Sequence, residues 1–241
     1  MILLRSSLYF ACLVVITVVI AVVIVTAGLL LPFKQRSQLA NAWGMANLWL
    51  LSNICGLDYE IKGLENIPEN GCIILSKHQS AWETMALRGL LPPSQAWVLK
   101  RELLWVPFFG WALYALQAIG IDRKSGRAAM NQVVKAGQKH LEKGHNVIIF
   151  PEGTRVAPGE RGRYGAGGAI LAHHSQFPVI PVALNSGVFW RRRDLKKYPG
   201  TVQVVIGPPI PIEGLKSSEI NKRVEEWIES TMQTLPATSD S

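Results

Sequence analysis

CIILSKHQSAWETMAL, residues 72–87, changes its hydrophobic period half-way along. Cys72–Ser76 is a short continuous run, mostly apolar, the pattern of a strand covered on both faces. From Ser80 to Leu90 the pattern is helical, with Ser80 placed as the N-cap. The same alternation recurs outward. DYEIKG (58–63), AWVLK (96–100), AIGID (118–122), NVIIF (146–150), PVIPVAL (178–184) and TVQVVIG (201–207) read as further strands. Arg127–Lys143 and Ser217–Leu235 read as helices, the second capped by Ser217 or Ser218. Strands alternating with helices predict an α/β fold, a mixed sheet flanked by helices.

The N-terminal quarter has a different character. No charged residue falls between Ser6 and Phe33, and Ala11–Leu31 is almost wholly apolar. About 20 such residues span a bilayer core, whereas the apolar core of a signal peptide runs to about 15. A retained transmembrane or deeply inserted helix is therefore expected. Arg5 flanks one end and Lys34 and Arg36 the other, so orientation is weakly specified. Leu39–Leu57 is uncharged but mixed, and carries Trp43 and Trp49. It reads as a second, membrane-associated helix, interfacial or re-entrant, with a core helix as the alternative. The chain thus divides into membrane helices over residues 1–57, an α/β domain over 58–235 and a disordered tail over 236–241.

Composition narrows the function. The 241 residues are 49% hydrophobic and only 17% charged, with a mean hydropathy of +0.19, which excludes a predominantly disordered chain. Lys and Arg exceed Asp and Glu by 8, which favours an anionic partner such as anionic lipid or a phosphorylated small molecule. No nucleic-acid-binding motif is present, so nucleic acid is not expected among the partners. Cys12, Cys55 and Cys72 form no C-x-x-C pair, which excludes a disulfide framework and a Cys-rich zinc site.

Two short motifs carry the chemistry. In the first, His78 and Glu83 are five residues apart, which on one helix would put them on different faces. They meet only if His78 lies in the loop before the helix, with Glu83 in its first turn. A His held by a carboxylate is a general base with a fixed tautomer. The same S-x-x-E spacing is also a capping box, in which Glu83 merely bonds the Ser80 backbone, and the segment alone leaves both readings open. The second motif is FPEGTR, Phe150–Arg155, directly after the NVIIF run. Gly153 permits a tight turn, and Arg155 can grip a phosphate with two parallel hydrogen bonds. By itself this motif is equally a surface turn.

Taken together, the two motifs resemble the signature of the glycerolipid acyltransferase family. That family carries an H-x4-D box and an F-P-E-G-T-R box in this order, with intermediate blocks similar to GIDR (120–123) and VIPVAL (179–184) here. VLKRELLWVPFFGW (98–111) is similar to its basic-then-aromatic segment, and the likeness covers roughly residues 57–211. Glu83 stands where the family carries Asp. Glu keeps the charge and adds one methylene, so pairing with His78 calls for a slightly shifted helix start.

The resemblance implies acyl transfer from a thioester, acyl-CoA or acyl carrier protein, to the free hydroxyl of lysophosphatidic acid. It implies no metal or cofactor, since a thioester is already activated. His78 and Glu83 would be catalytic. Lys100, Arg123, Glu152, Gly153, Thr154 and Arg155 would hold the substrate. The setting implied is a bacterial inner membrane, with the catalytic domain on its cytoplasmic face. Sequence alone also admits another lyso-lipid acceptor, or a non-catalytic protein that binds anionic lipid. No nucleophile elbow or neighbouring Cys accompanies His78, which fits direct attack by the acceptor. His173 and His174 read as structural or exposed, and His140 and His145 as favourable cations at a helix end. The run RRRDLKK (191–197) reads as a solvated loop or as a contact for anionic headgroups or a phosphate-bearing donor.

Overall fold

The computed structural model describes residues 1–237. Two long helices come first, α1 (Ile2–Val25) and α2 (Phe33–Leu50). The α/β part follows as β1 (Leu57–Lys62), β2 (Ile73–Ser76), α3 (Trp82–Leu90), β3 (Gln95–Lys100), α4 (Phe109–Ala115), β4 (Ile119–Ile121), α5 (Arg127–Leu141) and β5 (Asn146–Ile149). It closes with α6 (Gly167–Ser175), β6 (Val179–Leu184), α7 (Ser186–Phe189), β7 (Gly200–Ile206) and α8 (Ser217–Met232). All seven expected strands form, in one sheet of order β1-β7-β6-β2-β5-β3-β4. Every neighbouring pair is parallel except β6 with β7. The sheet is therefore mixed, as expected.

The central strands β2, β5 and β6 are buried at every position because both faces of the sheet are covered, whereas alternate residues of β1 and β7 stay partly exposed. Ile74, Ile148 and Ile180 face one side, joining Leu48, Leu51, Trp82 and Leu87. Ile73, Leu75, Val147 and Val179 face the other, joining Val133, Leu171, Val224 and Ile228. So α2 and α3 cover one face of the sheet, and α5, α6 and α8 cover the other. Two helix starts differ from the sequence reading. α3 begins at Trp82 with Ala81 as its cap residue, while the Ser80 hydroxyl accepts the Trp82 N–H at 3.2 Å. α8 is capped at Lys216, whose N–H donates to Glu219, rather than at Ser217 or Ser218. At the other end Leu235 is buried and the Pro236 carbonyl accepts from Asn185, and residues 238–241 of the expected tail lie outside the described residues.

Residues 2–30 make a 29-residue helical stretch, among the described residues the one long and apolar enough to cross a membrane. It is also a packed part of the fold. Tyr9 is fully buried, its hydroxyl against Asn47 and Met85, and Ser6 accepts the Lys197 N–H. Near the other end Ala21 and Ile24 pack on Ala112 and Ala115 of α4 and on Leu116 just after it. Its outward face is apolar and exposed, including Leu4, Leu8, Val15 and Val19.

The second helix starts six residues earlier than expected, at Phe33, and joins both alternatives. Its inner face, through Gly44, Asn47 and Leu48, is buried against α3, while Trp49 on its outer face stays exposed. Trp43, expected at a water–lipid boundary, instead turns inward and donates its indole N–H to Thr17. Gly44 sets how closely α2 and α3 cross. A Cβ there would lie 2.5 Å from the Gly89 nitrogen. Gly44→Ala should therefore cost about 1–3 kcal/mol of stability, as overpacking does, and should misplace α3. Thermal unfolding of this variant beside wild type measures it, and an unchanged midpoint would contradict the packing.

Candidate active site

The strand order brings the expected residues together. β6, β2, β5, β3 and β4 lie side by side, and from β2 to β4 all are parallel. His78 follows β2, FPEGTR follows β5, Lys100 ends β3 and Arg123 follows β4. All of them therefore leave the same carboxyl edge of the sheet, where open α/β sheets bind ligands. The side chain of Arg123 lies outside the described residues.

His78 sits in the loop before α3, and Glu83 in the first turn of that helix. His78 Nδ1 and Glu83 Oε1 are 2.8 Å apart. The same Oε1 accepts the backbone N–H of Gln79 at 2.6 Å and of Ser80 at 2.7 Å. The other carboxylate oxygen accepts the Ser186 hydroxyl at 2.6 Å. One carboxylate thus both contacts the imidazole and receives the backbone N–H groups before the helix, so the capping contact and the His78 pairing do not exclude one another. Glu83 is fully buried. Burial pushes its carboxyl up, but the bond and charge of His78 and the bonds from Ser186 and Ser80 outweigh this, and the net shift is down. It stays ionised beside an imidazole whose other nitrogen, Nε2, has no protein partner among the described residues. The His78 ring stacks on Phe150, with centroids 4.0 Å apart and planes 16° from parallel.

Glu152 differs from its expected role. Its side chain is buried and does not line the cavity in front of His78. One oxygen accepts the His78 backbone N–H at 2.9 Å, and the other accepts Lys77 Nζ at 2.7 Å. Lys77, 1% exposed, also reaches Glu229 of α8 at 2.8 Å, and Tyr164 donates to that same Glu229 oxygen. The His78 carbonyl in turn accepts the Val156 N–H. The loop that carries the imidazole is therefore fastened from behind by the Pro-Glu-Gly turn. A charged residue directly after an apolar strand was the one sign of Lys77 in the sequence. Nothing there pointed to Ser186, 103 residues from Glu83.

In front of His78 opens a cavity of about 460 Å³. Lys100, Gly153, Thr154 and Arg155 line it, together with the apolar Trp97, Leu103, Phe109 and Leu113. Gly153 takes φ +65°, which only a glycine adopts without strain, so the backbone can turn toward the cavity. Arg88, Arg192 and Arg193 add three cations to the lining, and among the described residues no carboxylate lines it. Arg88 is buried over the Trp97 ring, and burial lowers its basicity to about 9. Arg192 donates to the Arg155 carbonyl. The basic run is thus not merely a solvated loop. Its last residue, Lys197, is also buried, with its ammonium 4.4 Å from the Trp190 ring centroid.

The remaining histidines lie elsewhere. His173 contacts the Leu215 carbonyl. His140 and His145 flank the end of α5, but burial disfavours the charged form of each. Burial pushes both down, His145 to about 4, and their Nδ1 atoms lie 3.0 Å apart. Among the described residues no group of three or more His, Cys, Asp or Glu could hold a metal ion.

Residues 58–185 match the family model described as Acyltransferase. A 1-acyl-sn-glycerol-3-phosphate acyltransferase of Pseudomonas aeruginosa is 48% identical over 207 residues, covering 84% of this chain and 80% of that one. The alpha form from Ovis aries is 31% identical over 167 residues, 68% of this chain and 58% of its own. The crystal structure of the 1-acyl-sn-glycerophosphate acyltransferase of Thermotoga maritima superposes with a TM-score of 0.80. That match covers 100% of this chain and 98% of the other at 22% identity, a likeness of fold.

Proposed function

The chain belongs to the acyltransferase family, and from that premise we propose that it acylates the sn-2 hydroxyl of 1-acyl-sn-glycerol-3-phosphate to make phosphatidic acid. One observation carries this reading. An imidazole paired with a buried carboxylate opens onto a cavity with cationic and apolar walls and, among the described residues, no carboxylate. Such a cavity suits an anionic headgroup joined to a hydrocarbon chain.

The acceptor hydroxyl would donate its proton to His78 Nε2 as its oxygen attacks the thioester carbonyl. Glu83 would hold the tautomer and stabilise the imidazolium that forms. Collapse of the tetrahedral intermediate breaks the carbon–sulfur bond, and the departing thiolate recovers the proton from His78. The thioester supplies the activation, so the step requires neither metal nor cofactor. Acyl-CoA and acyl carrier protein both present such a thioester. Arg155 and Lys100 would hold the acceptor phosphate, with Arg123 beside them. Lys77 and Glu152 keep the His78 loop in place.

Residues 58–235 would form the catalytic unit and residues 1–57 its membrane attachment. α1 is fastened to the domain near both ends, by Tyr9 and by Ile24, with its apolar face outward. That arrangement supports a hairpin embedded from one face, the deeply inserted alternative rather than a free crossing. In a bacterium that face would be the cytoplasmic side of the inner membrane, where soluble acyl thioesters occur.

Arg155 provides the test. Arg155→Ala should lose at least roughly tenfold in kcat/KM for lysophosphatidic acid, since a charge-assisted hydrogen bond is worth about 1.5–3 kcal/mol. Arg155→Lys should recover part of it, because an ammonium cannot make the two-pronged contact. A monoacylglycerol with the same chain has the hydroxyl but no phosphate. Wild type should use it poorly, and Arg155→Ala should lose little more. Equal losses on both acceptors would show that Arg155 does not hold the acceptor phosphate.

A further inference from the structure

Residues 103–114 present large apolar side chains to solvent, and nothing among the described residues covers them. Trp105 is 68% exposed, Trp111 50% and Tyr114 78%, with Val106 and Phe108 also exposed. A contiguous patch of this kind on a folded surface marks a binding face. Two features show that it is built rather than frayed. Phe108 holds φ +61°, an unfavourable conformation for a bulky residue, and packs its ring 5.1 Å from Trp111. The inner side of α4 is fixed on α1, through Ala112 and Ala115 against Ala21 and Ile24.

We propose that this aromatic knuckle is a second lipid-embedded element, inserted in the same leaflet as α1. Continuity identifies the occupant. α4 lies directly against α1, whose neighbouring Val22 and Val23 are exposed, so the two outer faces form one apolar surface. Charge agrees with it. Lys100 and Arg101 directly precede the segment, beside Glu102, and Arg101, which also pairs with Asp122 at 3.2 Å, sits over the Trp105 ring at 5.9 Å. Cations beside indole rings suit the headgroup level of an anionic leaflet. The consequence reaches the active site, and this inference rests on the lipid-acceptor reading above. Leu103, Phe109 and Leu113, within the same segment, line the cavity that holds His78. Embedding the knuckle sets the mouth of that cavity at lipid level, so a lyso-lipid enters sideways without leaving the bilayer.

Single-cysteine labelling tests this on the full chain. Cys12→Ala removes the partly accessible thiol, and Cys55 and Cys72 are buried. In that background Trp105→Cys or Tyr114→Cys carries an environment-sensitive nitrobenzoxadiazole label. Val15→Cys on α1 and Arg223→Cys on α8 are the references. The protein is bound to phosphatidylethanolamine–phosphatidylglycerol vesicles, with and without lipids brominated along the chain. Labels at 105, 114 and 15 should shift to the blue and be quenched by bromolipid, whereas the label at 223 should do neither. If position 15 is quenched and 105 and 114 are not, the knuckle proposal is wrong and the membrane reading of α1 stands. If position 15 is not quenched either, the membrane reading fails first. A blue shift at 105 and 114 without vesicles that grows with protein concentration would make the occupant a second copy, and would also overturn the proposal.

Discussion

His78→Gln lowers acyl transfer by about 10²–10⁴-fold, the usual share of a positioned general base, while the melting temperature stays near that of wild type. The two expectations have separate causes. A glutamine amide cannot accept and return the hydroxyl proton. It can, however, still donate to Glu83, and that carboxylate keeps its bonds from Gln79, Ser80 and Ser186. The loop also keeps its backbone ties to Glu152 and Val156, which do not depend on the ring. Turnover and thermal unfolding of the same preparation separate the two. A variant that turns over at near wild-type rate would show that His78 is not the base.

Lys77→Met has the largest expected effect on stability. Lys77 is 1% exposed and neutralises Glu152, whose side chain is 0% exposed, at 2.7 Å. Removing one member of such a pair leaves a buried charge uncompensated, at a cost of about 3–5 kcal/mol. Glu229 is better placed to tolerate the loss, because it retains some solvent and the Tyr164 hydroxyl. The released Glu152 also holds the His78 N–H, so activity should fall with stability. Adding Glu152→Gln to Lys77→Met removes the stranded charge and keeps an oxygen for the His78 N–H. The double variant should therefore be more stable than Lys77→Met alone. Chemical unfolding of the three proteins checks it. A Lys77→Met protein within about 0.5 kcal/mol of wild type, the range of ordinary surface changes, would contradict the network.

The sheet was legible because its central strands are covered on both sides. Runs such as Cys72–Ser76 and Val179–Leu184 have few polar positions to confuse with a helix, and turn residues bound them. The helices were less so. α6 opens with Gly167 and Gly168 and ends in His173, His174 and Ser175, a poor helix former that packing stabilises. α4 is short and hidden among aromatic residues that face outward. At the site, His78 and Glu83 could be paired because five residues separate them and a loop geometry suffices. Lys77 with Glu152, and Ser186 with Glu83, are brought together only by neighbouring strands of the sheet. That is why Glu152 read as a substrate ligand. An acidic residue inside a ligand-binding turn shows nothing of a lysine 75 positions away.

Acyl transfer itself tests the central claim most directly. Purified protein in lipid vesicles is given lysophosphatidic acid with oleoyl-CoA or, in parallel, oleoyl–acyl carrier protein. Free thiol and phosphatidic acid are measured together over time. With at least one donor, thiol release should require lysophosphatidic acid and should equal phosphatidic acid formed, one for one. Thiol released without phosphatidic acid, or no reaction with either donor, would contradict the assignment of His78 as the base for a lipid hydroxyl.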